Sequence, residues 1–333
     1  MTAMKEQPSA RQIYGTIGPA CADVETLEAM FRAGMTGIRL NLSHVTLAQA
    51  ADQVDALHKA AQRCGKQAEL LIDMQGPELR IAKMAEPLNL KTGQNVCFRE
   101  ESCEGDGIPV TKMVYDALTA GAEVLLDDGK LLLQMTGAHE ALVCRGGLLA
   151  GGKSIALPAT TLEPPAMTAQ DYENISDAVG YGVTAVMQPF VRSAADLRVV
   201  KSAMDQAGGT DIRLLAKIEN LSGVENLATF FGLADEIVIA RGDLGNAMPL
   251  WELPRVQKDL SRRCRAAGVP FMVVTQMLAS MEHCAVPTRA EVSDIYNAVC
   301  DGASSVMVTG ETAVGQYPVE VIRYLSQTVN SAI

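Results

Sequence analysis

The chain has 333 residues, of which 48% are hydrophobic but only 4% aromatic, so its core must be built from Ala, Val, Ile, Leu and Met. Such a composition suits an α/β fold, whose buried parallel strands read as aliphatic runs, in one large barrel or in two domains. A formal net charge of -11 argues against a generic nucleic-acid surface or an anionic membrane surface.

The eight cysteines are scattered, with no CxxC pair, and the N-terminus "MTAMKEQPSARQ" lacks an apolar signal-peptide core. No apolar run approaches the roughly 18 residues of a membrane span. The expectation is a cytoplasmic protein with free thiols.

In chain order, aliphatic or β-branched runs recur at 12–18, 36–43, 68–76, 184–190, 213–219, 236–242, 270–276 and 304–310. Between most of them lie amphipathic stretches with helix signals. "VETLEAMFRAG" and "TLAQAADQVDALHKAAQRCG" each close on Gly, and "TAQDYENISDAVGYG", "SAADLRVVKSAMDQAGG" and "RAEVSDIYNAVCDG" follow later. Eight strand–helix units predict a TIM (β/α)8 barrel, with a doubly wound sheet as the alternative. One connection breaks the alternation. Between strand three and its helix, residues 77–167 carry "LNLKTGQNVCFRE", "AEVLLDDGKLLLQM" and "ALVCRGGLLAGGKSIAL", which read as antiparallel strands. "LLDDGKLLL" reads as a hairpin with Asp-Gly at its tip. Residues 81–157 are therefore expected to form a small all-β lid domain inserted after the third strand, with 1–80 and 158–333 forming the barrel.

Chemistry in such barrels sits at the C-terminal strand ends, and here those ends hold residues that a core would reject. Strand two ends with Arg39, Asn41 and Ser43 on one face, followed by His44; strand three ends Asp73-Met74-Gln75-Gly76-Pro77-Glu78. Strand five ends Lys217-Ile218-Glu219, strand six Arg241-Gly242-Asp243, strand seven Thr275-Gln276 and strand eight Thr309-Gly310-Glu311-Thr312. Taken singly, each is a rim salt bridge or a solvated loop residue. Their coincidence at one end favours a site, since independent rims would scatter charge over both ends. Lys217 and Glu219 are two apart and share a strand face. Glu219 and Asp243, from neighbouring strands, would repel without a cation between them, and oxygen ligands favour Mg²⁺ or Mn²⁺. Lys217 and Arg39 beside a metal suit a phosphoryl group. The "GDLG" helix start adds N–H groups for a carboxylate. No Walker loop, HExxH, Cys/His metal spacing or Ser–His–Asp arrangement is present.

The stretches "TIGPA", "GMTGIRLNLSH", "DMQGPELRI", "LLAKIENLSGVENL", "DEIVIARGDLG" and "TQMLASMEHCAVPTRAEVSDIYNAVCDGASSVMVTGETAVGQYPVEVI" resemble the pyruvate kinase family over essentially the whole length. The resemblance implies phosphoenolpyruvate plus ADP giving pyruvate plus ATP, with Mg²⁺ or Mn²⁺ and K⁺. It implies that Glu219 and Asp243 hold the divalent metal and that Lys217 stabilises the phosphoryl group and the enolate. Arg39 would bind phosphate, while Gly242, Asp243 and the Thr275 hydroxyl would bind the substrate carboxylate. Asn41, Ser43, Asp73 and the Met74 carbonyl would hold K⁺, and Glu78 stands where potassium-dependent members carry glutamate. His44, Arg80, Asp128 and Lys153 would serve the nucleotide, and Thr309 the proton route to the enolate.

Several positions depart from the family pattern. Met74-Gln75 replaces Thr-Lys, Gln188-Pro189 replaces Ala-Ser, Thr309 replaces Ser, Val45 replaces Gly, and Ala247 replaces Glu. The sequence ends at Ile333, so the family's C-terminal regulatory domain is expected to be absent, leaving a homodimer through the barrel and no allosteric activation of the usual kind. The competing expectations are a relative that uses pyruvate-enolate chemistry for oxaloacetate decarboxylation or aldol cleavage, and a non-catalytic relative.

Overall fold

The computed structural model describes residues 11–332 except 44, 128, 159, 161 and 163. Each of the eight aliphatic runs forms a strand: β1 (Gln12–Thr16), β2 (Gly37–Asn41), β3 (Glu69–Asp73), β4 (Ala185–Gln188), β5 (Arg213–Ile218), β6 (Glu236–Ala240), β7 (Phe271–Val274) and β8 (Ser305–Met307). All pair in parallel with their chain neighbours, and β1 pairs with both β2 and β8, so the barrel is closed. A doubly wound sheet, with two open edges, is thereby excluded.

Two apolar cores follow from strands buried on both faces. Outward residues such as Ile38, Leu70, Ile72, Val186, Leu214, Ala216 and Ile237 pack with the surrounding helices. Inward residues Leu71, Ala185, Met187, Leu215, Val238, Met272, Val274 and Met307 fill the lumen. The missing aromatics are explained here: aliphatic and thioether side chains interlock in a narrow lumen that leaves room for one ring, Tyr14.

The helices are fixed by local chemistry. α1 (Val24–Ala33) starts at Asp23, whose carboxylate accepts the Thr26 N–H at 2.8 Å, and stops at Gly34 in the left-handed region. α2 (Ala51–Arg63) begins later than its pattern suggests, because residues 46–50 form turns, with the Ala50 N–H donating to the Thr46 carbonyl. α3 (Ala169–Ala178), α4 (Ala194–Gln206) and α8 (Arg289–Cys300) each open with a capping box, Thr168/Asp171, Ser193/Asp196 and Thr288/Glu291. Between α4 and α8 lie α5 (Leu221–Asn226), α6 (Arg241–Asn246) and α7 (Leu253–Ala267). α9 (Gly310–Ala313) and α10 (Pro318–Ser331) close the chain order.

The chain divides into two compact units, residues 1–76 with 166–333, and residues 77–165. The second has its own core, including Ile81, Phe98, Ile108, Val124, Leu133 and Val143. Its main sheet has six strands in the order Ile155–Ala156, Glu123–Leu126, Leu131–Met135, Glu140–Arg145, Asn95–Glu100 and Ile108–Val110. The Asp-Gly hairpin falls between the second and third of these, which pair antiparallel. Two details differ from an all-antiparallel reading: Asn95–Glu100 and Ile108–Val110 run parallel, and a short helix, Lys112–Ala117, follows them.

Candidate active site

Inside the barrel, side chains two apart along a strand lie one layer above another. The apolar layers therefore continue into polar ones at the C-terminal strand ends: above Tyr14 comes Thr16, above Leu71 comes Asp73, and above Leu215 comes Lys217. Thr16 is in register with Arg39. Asp73, almost fully buried, accepts from Arg39 Nε at 2.8 Å and from Lys217 Nζ at 2.9 Å. Lys217 Nζ also lies 3.0 Å from Glu219 Oε1, while Glu219 Oε2 accepts the Phe190 N–H at 2.8 Å. The result is a buried row of alternating charge, Arg39–Asp73–Lys217–Glu219.

Burial alone would favour the neutral forms. It pushes the Asp73 carboxyl up, but Lys217 and Arg39 outweigh it and hold Asp73 below the usual carboxylate range. It pushes Lys217 down, but Asp73 and Glu219 outweigh it and hold the ammonium above its ordinary value. Lys217 is therefore cationic at neutral pH, where a catalytic lysine base would need the opposite.

β5 and β6 are neighbours, with Ile218 beside Ile239, so Glu219 and Asp243 leave the barrel on adjacent strands. Their donor set is all oxygen, which suits Mg²⁺ or Mn²⁺. Among the described residues no three His, Cys, Asp or Glu side chains gather as a metal cluster. Were these two carboxylates to hold such an ion, coordination positions would remain for water and substrate, as Mg²⁺ prefers. At the end of β7, Thr275 and Gln276 both have positive φ, 78° and 52°. Thr275 Oγ1 is buried and has no hydrogen-bond partner among the described residues. Gly242 faces it: a Cβ at Gly242 would lie 3.6 Å from Thr275 Cγ2 and 3.8 Å from its Oγ1. Thr309 donates its N–H to Glu311 Oε2 at 2.7 Å, and Glu311 Oε1 accepts the Leu278 N–H, so one buried carboxylate ties the loops after β7 and β8 together.

Of the residues expected to hold K⁺, Asn41 and Ser43 are joined, the Asn41 amide oxygen accepting the Ser43 N–H at 3.1 Å. The Asp73 carbonyl accepts the Leu42 N–H, and the Met74 N–H donates to the Met187 carbonyl. The loop that follows is held by Asp171, whose buried carboxylate accepts the Gln75 N–H at 2.9 Å, the Gly76 N–H at 3.0 Å, and both the N–H and hydroxyl of Thr168. Gly76 has φ 57°, and a Cβ there would sit 2.5 Å from Pro189 Cγ. Two departures from the family pattern, Gln75 and Pro189, thus flank the same tight contact.

In the second unit, Arg80 forms an ion pair with Glu78, 2.6 Å from Nη2, and donates to the Gly152 carbonyl. Lys153 Nζ lies 2.9 Å from Asp127, which Lys130 also contacts. His44 and Asp128 lie outside the described residues.

Sequence reasoning missed three kinds of residue. Asp171 was given no role; it completes the capping box of α3, and nothing local signals its second task. Arg241 was noted at a strand end without a role, although it donates to Asp294 at 2.7 and 2.8 Å and to the Thr275 carbonyl at 2.6 Å. The third kind corrects an expectation, because charge is not confined to one end of the barrel. Glu69, Arg213, Glu236 and Ser305 form a second polar layer at the N-terminal end, where Arg213 pairs with both glutamates and Tyr14 donates to Glu69. Counting the same alternation backwards from Asp73 and Lys217 would have found it. The two ends still differ, since among the described residues it is the C-terminal one that also carries the unpartnered buried Thr275 hydroxyl and the strained Thr275–Gln276 loop.

The family model described as "Pyruvate kinase, barrel domain" matches residues 9–322. The pyruvate kinase of Sporosarcina psychrophila is 37% identical over 327 residues, covering 95% of this chain and 56% of that protein. The pyruvate kinase of Mycobacterium intracellulare is 38% identical, covering 96% and 69%, and that of Thermococcus litoralis is 36% identical, covering 97% and 70%. The chain thus spans between about half and about two thirds of the length of these relatives. Closed parallel barrel, strand-end charge row and matched sequence agree, and the chain belongs to the pyruvate kinase family.

Proposed function

We propose that the chain transfers the phosphoryl group of phosphoenolpyruvate to ADP. The observation that carries this reading is the buried row Arg39–Asp73–Lys217–Glu219 at the C-terminal end of a barrel of this family. In the reaction a terminal oxygen of ADP attacks phosphorus, the bond from phosphorus to the enol oxygen breaks, and its electrons stay on the enolate. The enolate then takes a proton at its methylene carbon to become pyruvate.

Protonated Lys217 faces the charge that develops on the phosphoryl and enolate oxygens, and its three donors fit that task without a proton transfer. Arg39 binds the phosphoryl oxygens. The Thr275 hydroxyl, with the backbone of Gly242 and Asp243, orients the substrate carboxylate. Glu219 and Asp243 would hold Mg²⁺ or Mn²⁺, which when bound supplies further positive charge to the same oxygens. Asn41, Ser43, Asp73 and the Met74 carbonyl would hold K⁺, in keeping with Glu78. Thr309 serves the proton route, and His44, Arg80, Asp128 and Lys153 serve the nucleotide.

The test is a coupled assay for pyruvate release from phosphoenolpyruvate, with Mg²⁺ and K⁺, across ADP, GDP and UDP. Nucleotide-dependent turnover is expected, and Lys217→Met should lower kcat by at least about a thousandfold while the protein stays folded. A folded protein without nucleotide-dependent turnover, or a fully active Lys217→Met variant, overturns the reading.

A further inference from the structure

We propose that Arg241 and Asp294 are positioning residues that aim the Thr275 hydroxyl at the carboxylate of the substrate; the inference rests on the phosphoenolpyruvate reading above. The starting point is backbone strain. Thr275 and Gln276 are consecutive non-glycine residues at φ 78° and 52°, a conformation that L-residues rarely adopt and never adopt without support. A β-branched residue such as threonine is the least suited to it.

The support is visible. Arg241, first residue of α6, donates Nη2 to the Thr275 carbonyl at 2.6 Å, and the same nitrogen lies 3.0 Å from Met277 Sδ. Its Nη1 is held by both carboxylate oxygens of Asp294 on α8, at 2.8 and 2.7 Å, with Gln257 Oε1 at 3.5 Å. One planar guanidinium thus joins the ends of β6 and β7 to α8. Lysine has donors enough for both acceptors but lacks the planar fork that fixes their relative geometry. With the carbonyl pinned on one side, the Thr275 side chain is turned towards Gly242 on the other. There its hydroxyl is buried with no partner among the described residues. A buried hydroxyl left unpaired is costly, so its placement points to an acceptor that arrives with the ligand. A plain fold brace would account for the Arg241–Asp294 pair but not for the vacant donor it presents.

The experiment uses the full chain and five variants: Arg241→Lys, Asp294→Asn, Asp294→Glu, Thr275→Val and the Thr275→Val/Asp294→Asn double. The readouts are kcat, the KM values for phosphoenolpyruvate and ADP, and calorimetric affinity for oxalate in the presence of Mn²⁺. Asp294→Asn and Arg241→Lys should each raise the phosphoenolpyruvate KM and weaken oxalate by about tenfold, the loss of one hydrogen bond to a charged group, with the ADP KM unchanged. The double variant should be no worse than Thr275→Val alone, because the pair acts through that hydroxyl. Asp294→Glu should recover part of the loss.

Additive losses in the double variant, equal rises in both KM values, or unchanged oxalate affinity overturn the inference. If the wild type binds oxalate but shows no turnover, the phosphoenolpyruvate reading fails while the oxalate series still decides this one. If the wild type turns over and the variants match it, this inference alone fails. A wild type that neither turns over nor binds oxalate overturns both. Should Asp294→Asn not fold, Arg241→Lys gives the same comparison.

Discussion

Two buried carboxylates in the barrel lumen, Asp73 and Glu236, are both raised by burial but displaced in opposite directions once their partners are counted. Asp73 lies between two cations, which overcome its desolvation and keep it ionised. Glu236 is desolvated as strongly, but it receives only the hydroxyls of Ser304 and Ser305 and a more distant Arg213 at 3.5 Å, with Glu69 nearby, so its carboxyl is raised above the usual glutamate value. The consequence for stability follows from linkage. A carboxyl raised in the folded state binds its proton there while the unfolded chain has released it. Its contribution is full below the unfolded value of about 4.3 and is lost as pH rises through the folded one. Glu236→Gln, neutral throughout, should therefore lack this loss. Melting curves of the two proteins should draw apart as pH climbs above about 4.3, with the variant the more stable at pH 8. A constant gap at all pH values would mean that Glu236 titrates normally.

Between strand and helix, the loop after β3 depends on one residue of α3. Asp171 completes the capping box of its own helix and at the same time accepts the Gln75 and Gly76 N–H groups. Asp171→Ala removes all of these acceptors from a buried place, so a loss of about 3 kcal/mol is expected in urea unfolding. Amide exchange at Gln75 and Gly76 should quicken before the rest of the barrel responds. The same example marks how far the sequence could be read. The strands were legible because burial on both faces turns them into aliphatic runs. The site layer was legible because period-two alternation carries Asp73 and Lys217 up from Leu71 and Leu215. Asp171 as a loop anchor, and Asp294 as a partner of Arg241, were not, because each contact joins residues far apart in the chain and no local pattern specifies the partner. The N-terminal polar layer was missed for another reason: Glu69, Arg213 and Glu236 open their strands, where charge reads as a solvated flank.

At the scale of the whole molecule, the second unit is built to be separable. Its apolar core draws only on its own residues, from Ile81 to Leu157. Its two chain ends are tied to each other, the Ile81 N–H donating to the Lys153 carbonyl and the Ile155 N–H to the Leu79 carbonyl, both at 2.9 Å. An insertion whose ends meet imposes little closure cost on its host, and its size is ordinary for an independent domain. The host is equally prepared: Gln188 donates to the Ala166 carbonyl at 2.8 Å and lies 3.6 Å from where a Gly76 Cβ would be, so the two cut ends of the barrel flank one side chain. Residues 77–165 expressed alone should therefore give a dispersed amide spectrum and a single cooperative unfolding transition. The barrel with that segment replaced by a short Gly/Ser linker should also unfold in one step, and both transitions should be recoverable from the melting of the intact chain. A fragment 77–165 that stays unfolded would show that its core closes only when the barrel fixes the two ends, and the unit would then be an elaborated loop of the barrel.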